Sequence, residues 1–155
     1  MKARTIVLAL ALFLVATAVG YAKTNPNMGT WKLNEAKSKI AAGSPKNHTV
    51  VYEESGADIK VTVDGTDAAG NATHSEWTGK FDGKYYPVTG DPTSDERSYR
   101  TINNHTLALT GRKAGKVTLT GRIAVSANGK TRTVTTTGTD ANGKKFRTTA
   151  VYDKA

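Results

Sequence analysis

Ten short stretches in which apolar and polar residues alternate follow one another along this 155-residue chain, and each is closed by Gly, Asn or Asp. Successive side chains of a strand point to opposite faces, so Ile59, Val61 and Val63 are expected on one face and Lys60 and Thr62 on the other. Residues that tolerate a positive φ close the tight reversals between such strands. The predicted strands span residues 30–33, 48–54, 58–64, 73–80, 84–88, 97–103, 106–112, 116–125, 131–139 and 145–152.

Hairpin connections between all of these strands predict how the sheet is arranged. An open sheet would leave two edges of unpaired backbone groups, and closure into a barrel removes them. We therefore expect an all-β fold, a single antiparallel up-and-down β-barrel of about 8 to 10 strands. Residues 34–45 have room for one short helical turn capped by Asn34. The Ala-Asn-Gly-Lys turns at 127–130 and 141–144 predict left-handed glycines next to a bulge.

The start of the chain has the pattern of a secretory signal. Lys2 and Arg4 precede an apolar run from Ile6 to Val19, and small residues at 20 and 22 suit cleavage after Ala22. A membrane-spanning helix needs about 20 apolar residues, which this run does not reach. We therefore predict a cleaved signal peptide over residues 1–22, a β-barrel domain over residues 23–155, and a secreted or periplasmic location.

The composition excludes several kinds of chemistry. The chain has no cysteine, so disulfides, thiolate metal sites, cysteine nucleophiles and thiol redox reactions are all excluded. Large apolar residues are sparse and threonine is abundant. We therefore expect a thin core in which some inward positions are polar.

Charge is distributed unevenly along the chain. Residues 23–96 contain 8 basic and 11 acidic side chains, a balance of −3, whereas residues 97–155 contain 12 basic and 2 acidic ones, a balance of +10. Arg112 and Arg122 alternate with apolar residues and are expected to face solvent. Such a cationic outer face would attract anionic envelope polymers or lipid headgroups, or it would simply keep the protein soluble. Export argues against a nucleic acid partner.

The first predicted strand carries a resemblance to a known group of proteins. Gly29, Thr30 and Trp31, continued by Lys32 and Leu33, resemble the Gly-x-Trp opening of the lipocalins and especially the Gly-Thr-Trp-Lys-Leu opening of fatty-acid-binding proteins. The rest of the chain resembles small exported bacterial proteins described as lipocalin-like, which have no assigned activity. The resemblance implies a barrel closed at one end by the tryptophan, which packs near an arginine from a late strand. Arg147 is the first candidate for that role and Arg132 the second.

Aromatic and basic residues interleave in the middle of the chain. Trp77, Tyr86 and Tyr99 would line the mouth of a barrel, and Arg100 or Arg132 would supply positive charge for an amphipathic or anionic ligand. The alternative is that the three aromatic side chains fill the core, which a chain with few large apolar residues needs. The sequence leaves open which face of its strand Arg132 occupies.

The three histidines do not form a recognisable metal-binding or catalytic motif. His48, His74 and His105 do not show the short spacing of a metal-binding motif. His74 and Glu76 share a strand face and could exchange protons, but Ser75 points the other way and no nucleophile motif is present. We therefore expect a protein without catalytic activity, metal or cofactor. Its expected function is binding of a small amphipathic or anionic ligand, and the alternative is envelope association through the basic half.

Overall fold

The structure, a computed structural model, describes residues 24–140 and 142–155, which form a closed antiparallel barrel of ten strands. The predicted all-β up-and-down barrel is therefore confirmed. The predicted signal peptide and Ala141 of the last turn lie outside the described residues. The strands are β1 Gly29–Leu33, β2 Lys46–Ser55, β3 Asp58–Thr66, β4 Ala72–Gly79, β5 Asp82–Thr89, β6 Glu96–Asn103, β7 Thr106–Lys113, β8 Lys116–Val125, β9 Thr131–Thr139 and β10 Lys145–Lys154.

Each strand pairs with its neighbours in sequence, and pairing of β1 with β10 closes the ring. In that closing pair Trp31 is opposite Lys154 and Leu33 is opposite Tyr152. The strand bounds differ from the predicted ones by two residues at most. The start of β2 is one of the larger differences, because the register shifts between Asn47 and Thr49 and the strand continues beyond this bulge.

The link between β1 and β2 contains the predicted helical turn. Residues Glu35–Lys37 form a 3₁₀ turn, and the Asn34 side chain accepts a hydrogen bond from the Lys37 backbone N–H at 3.2 Å. Lys39 then makes an isolated β-bridge to Thr149 of β10. The link is therefore held against the closing strand of the barrel.

Glycines permit two kinds of local geometry that the fold needs. Gly129 and Gly143 have φ values of 71° and 79°, as predicted for the two related turns. Gly121 faces inward on β8, where an added Cβ would lie 2.8 Å from the Thr135 carbonyl oxygen. A side chain at this position would push β8 away from β9.

The core is concentrated towards one end of the barrel. We call this the terminal end, because β1 begins and β10 finishes there. The buried apolar residues are Trp31, Val50, Tyr52, Val61, Val63, Trp77, Val88, Tyr99, Leu107, Leu109, Ile123, Val125, Ala150 and Tyr152. Full burial of a large apolar side chain contributes about 1.5–3 kcal/mol, so these side chains supply most of the stability.

Candidate functional site

An aromatic cluster occupies the barrel interior. The ring centroids of Trp77 and Tyr99 lie 4.7 Å apart in an edge-to-face arrangement, and those of Trp77 and Tyr86 lie 5.7 Å apart. Phe81 stacks on Trp77 at 6.3 Å, and Tyr52 meets Tyr99 edge-on at 6.4 Å. The structure thus brings together the three aromatic residues singled out in the sequence, and adds Phe81 and Tyr52 to them. Trp77 and Tyr99 are 1% and 2% exposed, as side chains that fill a core are.

Local sequence explains how these rings come together. Gly79 follows Trp77 on the inner face of β4, and a Cβ there would lie 2.5 Å from the Tyr86 ring. The absent side chain makes room for Tyr86 to meet the edge of Trp77. The indole nitrogen of Trp77 donates to the Arg97 carbonyl at 2.9 Å, so the polar end of this ring is satisfied.

Arg97 is a cation in the barrel wall that has an acidic partner. It alternates with Tyr99 on the inner face of β6, and its guanidinium donates to Asp91 at 2.5 Å and to the Tyr99 hydroxyl at 3.3 Å. Burial acts to lower the pKa of Arg97, but Tyr99 and Asp91 outweigh it and raise the pKa overall. Arg97 is not among the site residues predicted from the sequence, although its two-residue spacing from Tyr99 indicates an inward side chain.

Arg132 is a second inward guanidinium, and it has no such acidic partner. The residue is 3% exposed, and its Nη2 donates to the Tyr52 hydroxyl at 2.7 Å. Its Nε and Nη1 are buried without a hydrogen-bond partner. No ion pair joins Arg132 to a carboxylate of the described residues. The structure therefore answers the question that the sequence left open, because Arg132 faces the interior.

Three aromatic rings surround the Arg132 guanidinium. Its central carbon lies 4.7 Å from the ring centroid of Tyr52, 5.4 Å from that of Tyr152 and 5.9 Å from that of Trp31. Such cation–π contacts contribute about 0.5–2 kcal/mol each, whereas removing a cation from water costs several kcal/mol. The rings therefore offset only part of the desolvation cost.

The pKa values of the two neighbouring tyrosines, Tyr52 and Tyr152, are shifted by this environment. Burial raises the pKa of Tyr52, although the positive charge of Arg132 acts to lower it. Burial likewise raises the pKa of Tyr152. Both hydroxyls are therefore neutral at physiological pH, and the site carries net positive charge. Its unused donors, Nε and Nη1 of Arg132, fit an acceptor that brings negative charge.

Trp31 is buried in the core beside Arg132, and not beside Arg147, the first candidate for its partner. Its side chain is fully buried, its indole nitrogen donates to the Asn27 carbonyl at 2.8 Å, and Lys154 Nζ lies 5.1 Å from the ring centroid. Gly29 has a φ of 102°, which a glycine adopts readily. Arg147 pairs with Thr137 and is exposed, whereas the arginine next to Trp31 is Arg132.

Arg100 and Arg112 lie outside the barrel interior. Arg100 is exposed, and its alkyl chain passes over the position where Gly83 would carry a Cβ, at 3.2 Å. Arg112 is half-buried, because it pairs with Glu96 at 2.6 Å and lies over the Tyr85 ring at 3.8 Å. Arg100 is therefore separated by the sheet from the aromatic residues with which the sequence reasoning grouped it.

The histidines are distributed over the surface of the barrel. His74 Nδ1 donates to the Asp64 carboxylate at 2.6 Å, and its Nε2 lies 3.6 Å from Glu76, on the outer face of β3 and β4. His48 contacts the Thr66 hydroxyl at 3.1 Å, and His105 is in the β6–β7 turn. Within residues 24–140 and 142–155, no cluster of three acidic or imidazole side chains has the arrangement of a metal site.

Two surface cavities lie outside the aromatic cluster. One, of about 430 Å³, runs along the outer face of β8 to β10 between Arg122 and Arg147. The other, of about 410 Å³, is at the terminal end and is lined by the segment from Thr24 to Asn27 and by residues of β6, β7 and their turn, including His105. Neither is lined by Trp77, Tyr86 or Tyr99.

No protein-family description fits the sequence, and no curated protein is significantly similar to it. The closed barrel is consistent with the fold that the Gly-x-Trp opening implies. None of the helical segments in the described part of the chain has the length and hydrophobicity that crossing a membrane requires.

Proposed function

We propose that this protein is an exported, non-enzymatic β-barrel that binds a small anionic ligand in its interior, with Arg132 as the anchor. The observation that supports this most strongly is a guanidinium 3% exposed, with two nitrogens that have no partner. Buried cations are normally paired with a carboxylate, because an unpaired one carries an uncompensated desolvation cost. A bound anion would supply the missing partner.

The contrast with Arg97 supports Arg132 as the cation that would bind the ligand. Asp91 already neutralises Arg97, so a second anion there would meet a site without net charge. Arg132 donates only to the neutral Tyr52 hydroxyl. A carboxylate or phosphate oxygen within reach of Nε and Nη1 would form charge-assisted hydrogen bonds, which are stronger than neutral ones.

The rings around Arg132 favour a ligand that is partly apolar. Trp31, Tyr52 and Tyr152 would contact an aliphatic or aromatic portion next to the anionic group. Because these side chains already fill the terminal end, the ligand must be small or must displace a ring. Phe81, in the short β4–β5 link, is only partly buried and touches Tyr52, Trp77 and Tyr99, so it is the ring whose displacement would disturb the sheet least.

Native mass spectrometry of the protein purified from its own exported fraction tests this proposal. We expect the mass of residues 23–155 together with a small adduct that denaturation releases. Arg132→Gln should lose the adduct, whereas Arg100→Gln, which removes an equal charge from the outer face, should keep it. Circular dichroism establishes that each variant is folded.

Two results would contradict the proposal. The first is an adduct that a folded Arg132→Gln protein retains at full occupancy. The second is a bare protein mass that stays unchanged after incubation with acetate, octanoate, benzoate and phosphate. Tyr52→Phe is a milder second variant, because it removes only the hydroxyl that holds Nη2. It should weaken binding without abolishing it.

A further inference from the structure

The outer face of β8, β9 and β10 is a shallow groove with a hydroxyl-rich floor. Alternate residues of β9 point outward, and Arg132, which lies between two of them, points inward. The hydroxyls of Thr120 on β8 and Thr137 on the adjacent strand β9 lie 3.2 Å apart. The groove has a volume of about 430 Å³. The residues that line it include Thr120, Arg122, Thr133, Thr135, Thr137 and Arg147.

Two guanidinium groups flank this groove without a carboxylate partner. The side chains of Arg122 and Arg147 form no ion pair or hydrogen bond with any described residue, whereas Arg112 on the outer face of β7 is paired with Glu96. The acidic residue on the same face of β10, Asp153, is at the terminal end and is engaged by Asn34 and Lys37. The groove therefore has two cations that are free to bind an external anion.

Strand geometry fixes the spacing between these cations. Arg122 is opposite Thr135 of β9, and Arg147 is opposite Thr137, so the two arginines are two strands apart and offset by two residues. With strands about 4.8 Å apart and a rise of about 3.4 Å per residue, their Cα atoms are about 12 Å apart. A chain of repeating anionic units can contact both guanidinium groups across that distance.

We propose that this groove binds a linear anionic polysaccharide. Guanidinium groups bind carboxylates through paired hydrogen bonds, and the threonine hydroxyls between them can exchange hydrogen bonds with sugar hydroxyls. The groove has no aromatic side chain on which a nucleobase could stack. Its floor of threonine also lacks the large apolar side chains that insertion into a lipid surface uses.

The charge on the opposite side of the barrel would orient the protein towards such a polymer. β4 is five strands from β9 in the ring of ten, and the outer face around it has Asp64, Glu76 and Glu53. Lys60 and His74 pair with these acidic groups, so the basic side chains of β3 and β4 are already engaged. Approach of a polyanion is therefore favoured from the side of β8 to β10.

Binding of polygalacturonate, with dextran as the uncharged control, tests this inference. We expect the protein to bind polygalacturonate and not dextran by isothermal titration calorimetry at low salt, with an affinity that falls as salt rises. The double variant Arg122→Gln/Arg147→Gln should weaken the affinity by about tenfold or more. Arg100→Gln combined with Lys84→Gln removes two exposed charges elsewhere and is the matched control.

Two outcomes would overturn the assignment of the polymer to the groove. Equal weakening by the groove variant and the control variant would do so, because binding would then follow net charge alone. Binding to phosphatidylglycerol vesicles with none to polygalacturonate would also overturn it, in favour of a lipid surface. Arg132→Gln should leave polygalacturonate binding unchanged, so this inference is independent of the interior ligand.

Discussion

Arg132 is a charged residue in a position that chains of this size normally give to an apolar one. Its guanidinium is held by one neutral hydroxyl and three rings, and two of its nitrogens are unsatisfied. Replacing a buried ionic group by apolar residues of similar volume is often neutral or stabilising. If the positive charge is present for a ligand, it should therefore cost the ligand-free protein stability.

The double variant Arg132→Met/Tyr52→Phe measures that cost. We expect the free energy of unfolding in urea to be unchanged or higher than that of the wild type, by about 1–4 kcal/mol, because the unpaired donors are gone. Arg132→Met alone should be less stable than the double variant, because it leaves the buried Tyr52 hydroxyl without its partner. A double variant that is less stable than the wild type by more than about 2 kcal/mol would show that the guanidinium is itself a stabilising group.

At the scale of single strands, the two faces of β4 have different roles. The inner face has Trp77 and Gly79, which are packed in the core, while the outer face has His74 and Glu76 in a chain of exposed charges with Asp64 and Lys60. The hydrogen bond that His74 donates to Asp64 raises the pKa of His74 above 6.5, and Glu76 adds a smaller effect in the same direction. When it is protonated, His74 joins Lys60 in a surface ion-pair network with Asp64 and Glu76.

The His74 titration gives a prediction for this network. Because the folded pKa is raised, the stabilisation from His74 is fully present below the unfolded value of 6.5 and disappears as the pH rises through the folded pKa. By NMR titration, Asp64→Asn should lower the His74 pKa, and Glu76→Gln should lower it less. A His74 pKa that does not change in Asp64→Asn would contradict the assigned hydrogen bond.

The strands also differ in how much of their arrangement the sequence could predict. The interleaving of aromatic and basic residues predicted the grouping of Trp77 with Tyr86 and Tyr99, and the alternation of apolar and polar residues predicted all ten strands. Alternation left open which face of β9 Arg132 occupies, since this strand has threonine on both faces and therefore no clear period. The choice between Arg132 and Arg147 depends on register between distant strands, which local sequence does not encode.

At the scale of the whole molecule, the barrel depends on the closing pair of its first and last strands. Trp31 of β1 is part of the core, and both Trp31 and Tyr152 of β10 lie next to the Arg132 guanidinium. The Ala155 backbone N–H donates to the Thr30 carbonyl at 3.0 Å, so pairing continues to the last residue. The aromatic end and the Arg132 site therefore form only when both of these strands are in place.

Truncation should reveal this dependence. Ending the chain after Val151 removes the three β10 residues that pair with β1, Tyr152, Asp153 and Lys154, of which Tyr152 is buried. We expect a loss of about 3 kcal/mol or more in the free energy of unfolding, because an aromatic side chain leaves the core as well. Ending the chain after Asp153 keeps Tyr152 and should cost less. Equal stability of the two truncated proteins would mean that the closing pair contributes little.

The most direct test of the central claim is an NMR titration that follows the arginine side-chain Nε–H resonances of the mature protein while benzoate, octanoate or phosphate is added. The Arg132 resonance, assigned by its absence from Arg132→Lys, should shift and saturate with at least one of these anions. The Arg97 resonance should stay in place, because Asp91 already pairs with that guanidinium. If no anion produces a saturable shift at Arg132, its buried donors do not form a binding site, and the interior of the barrel is a filled core.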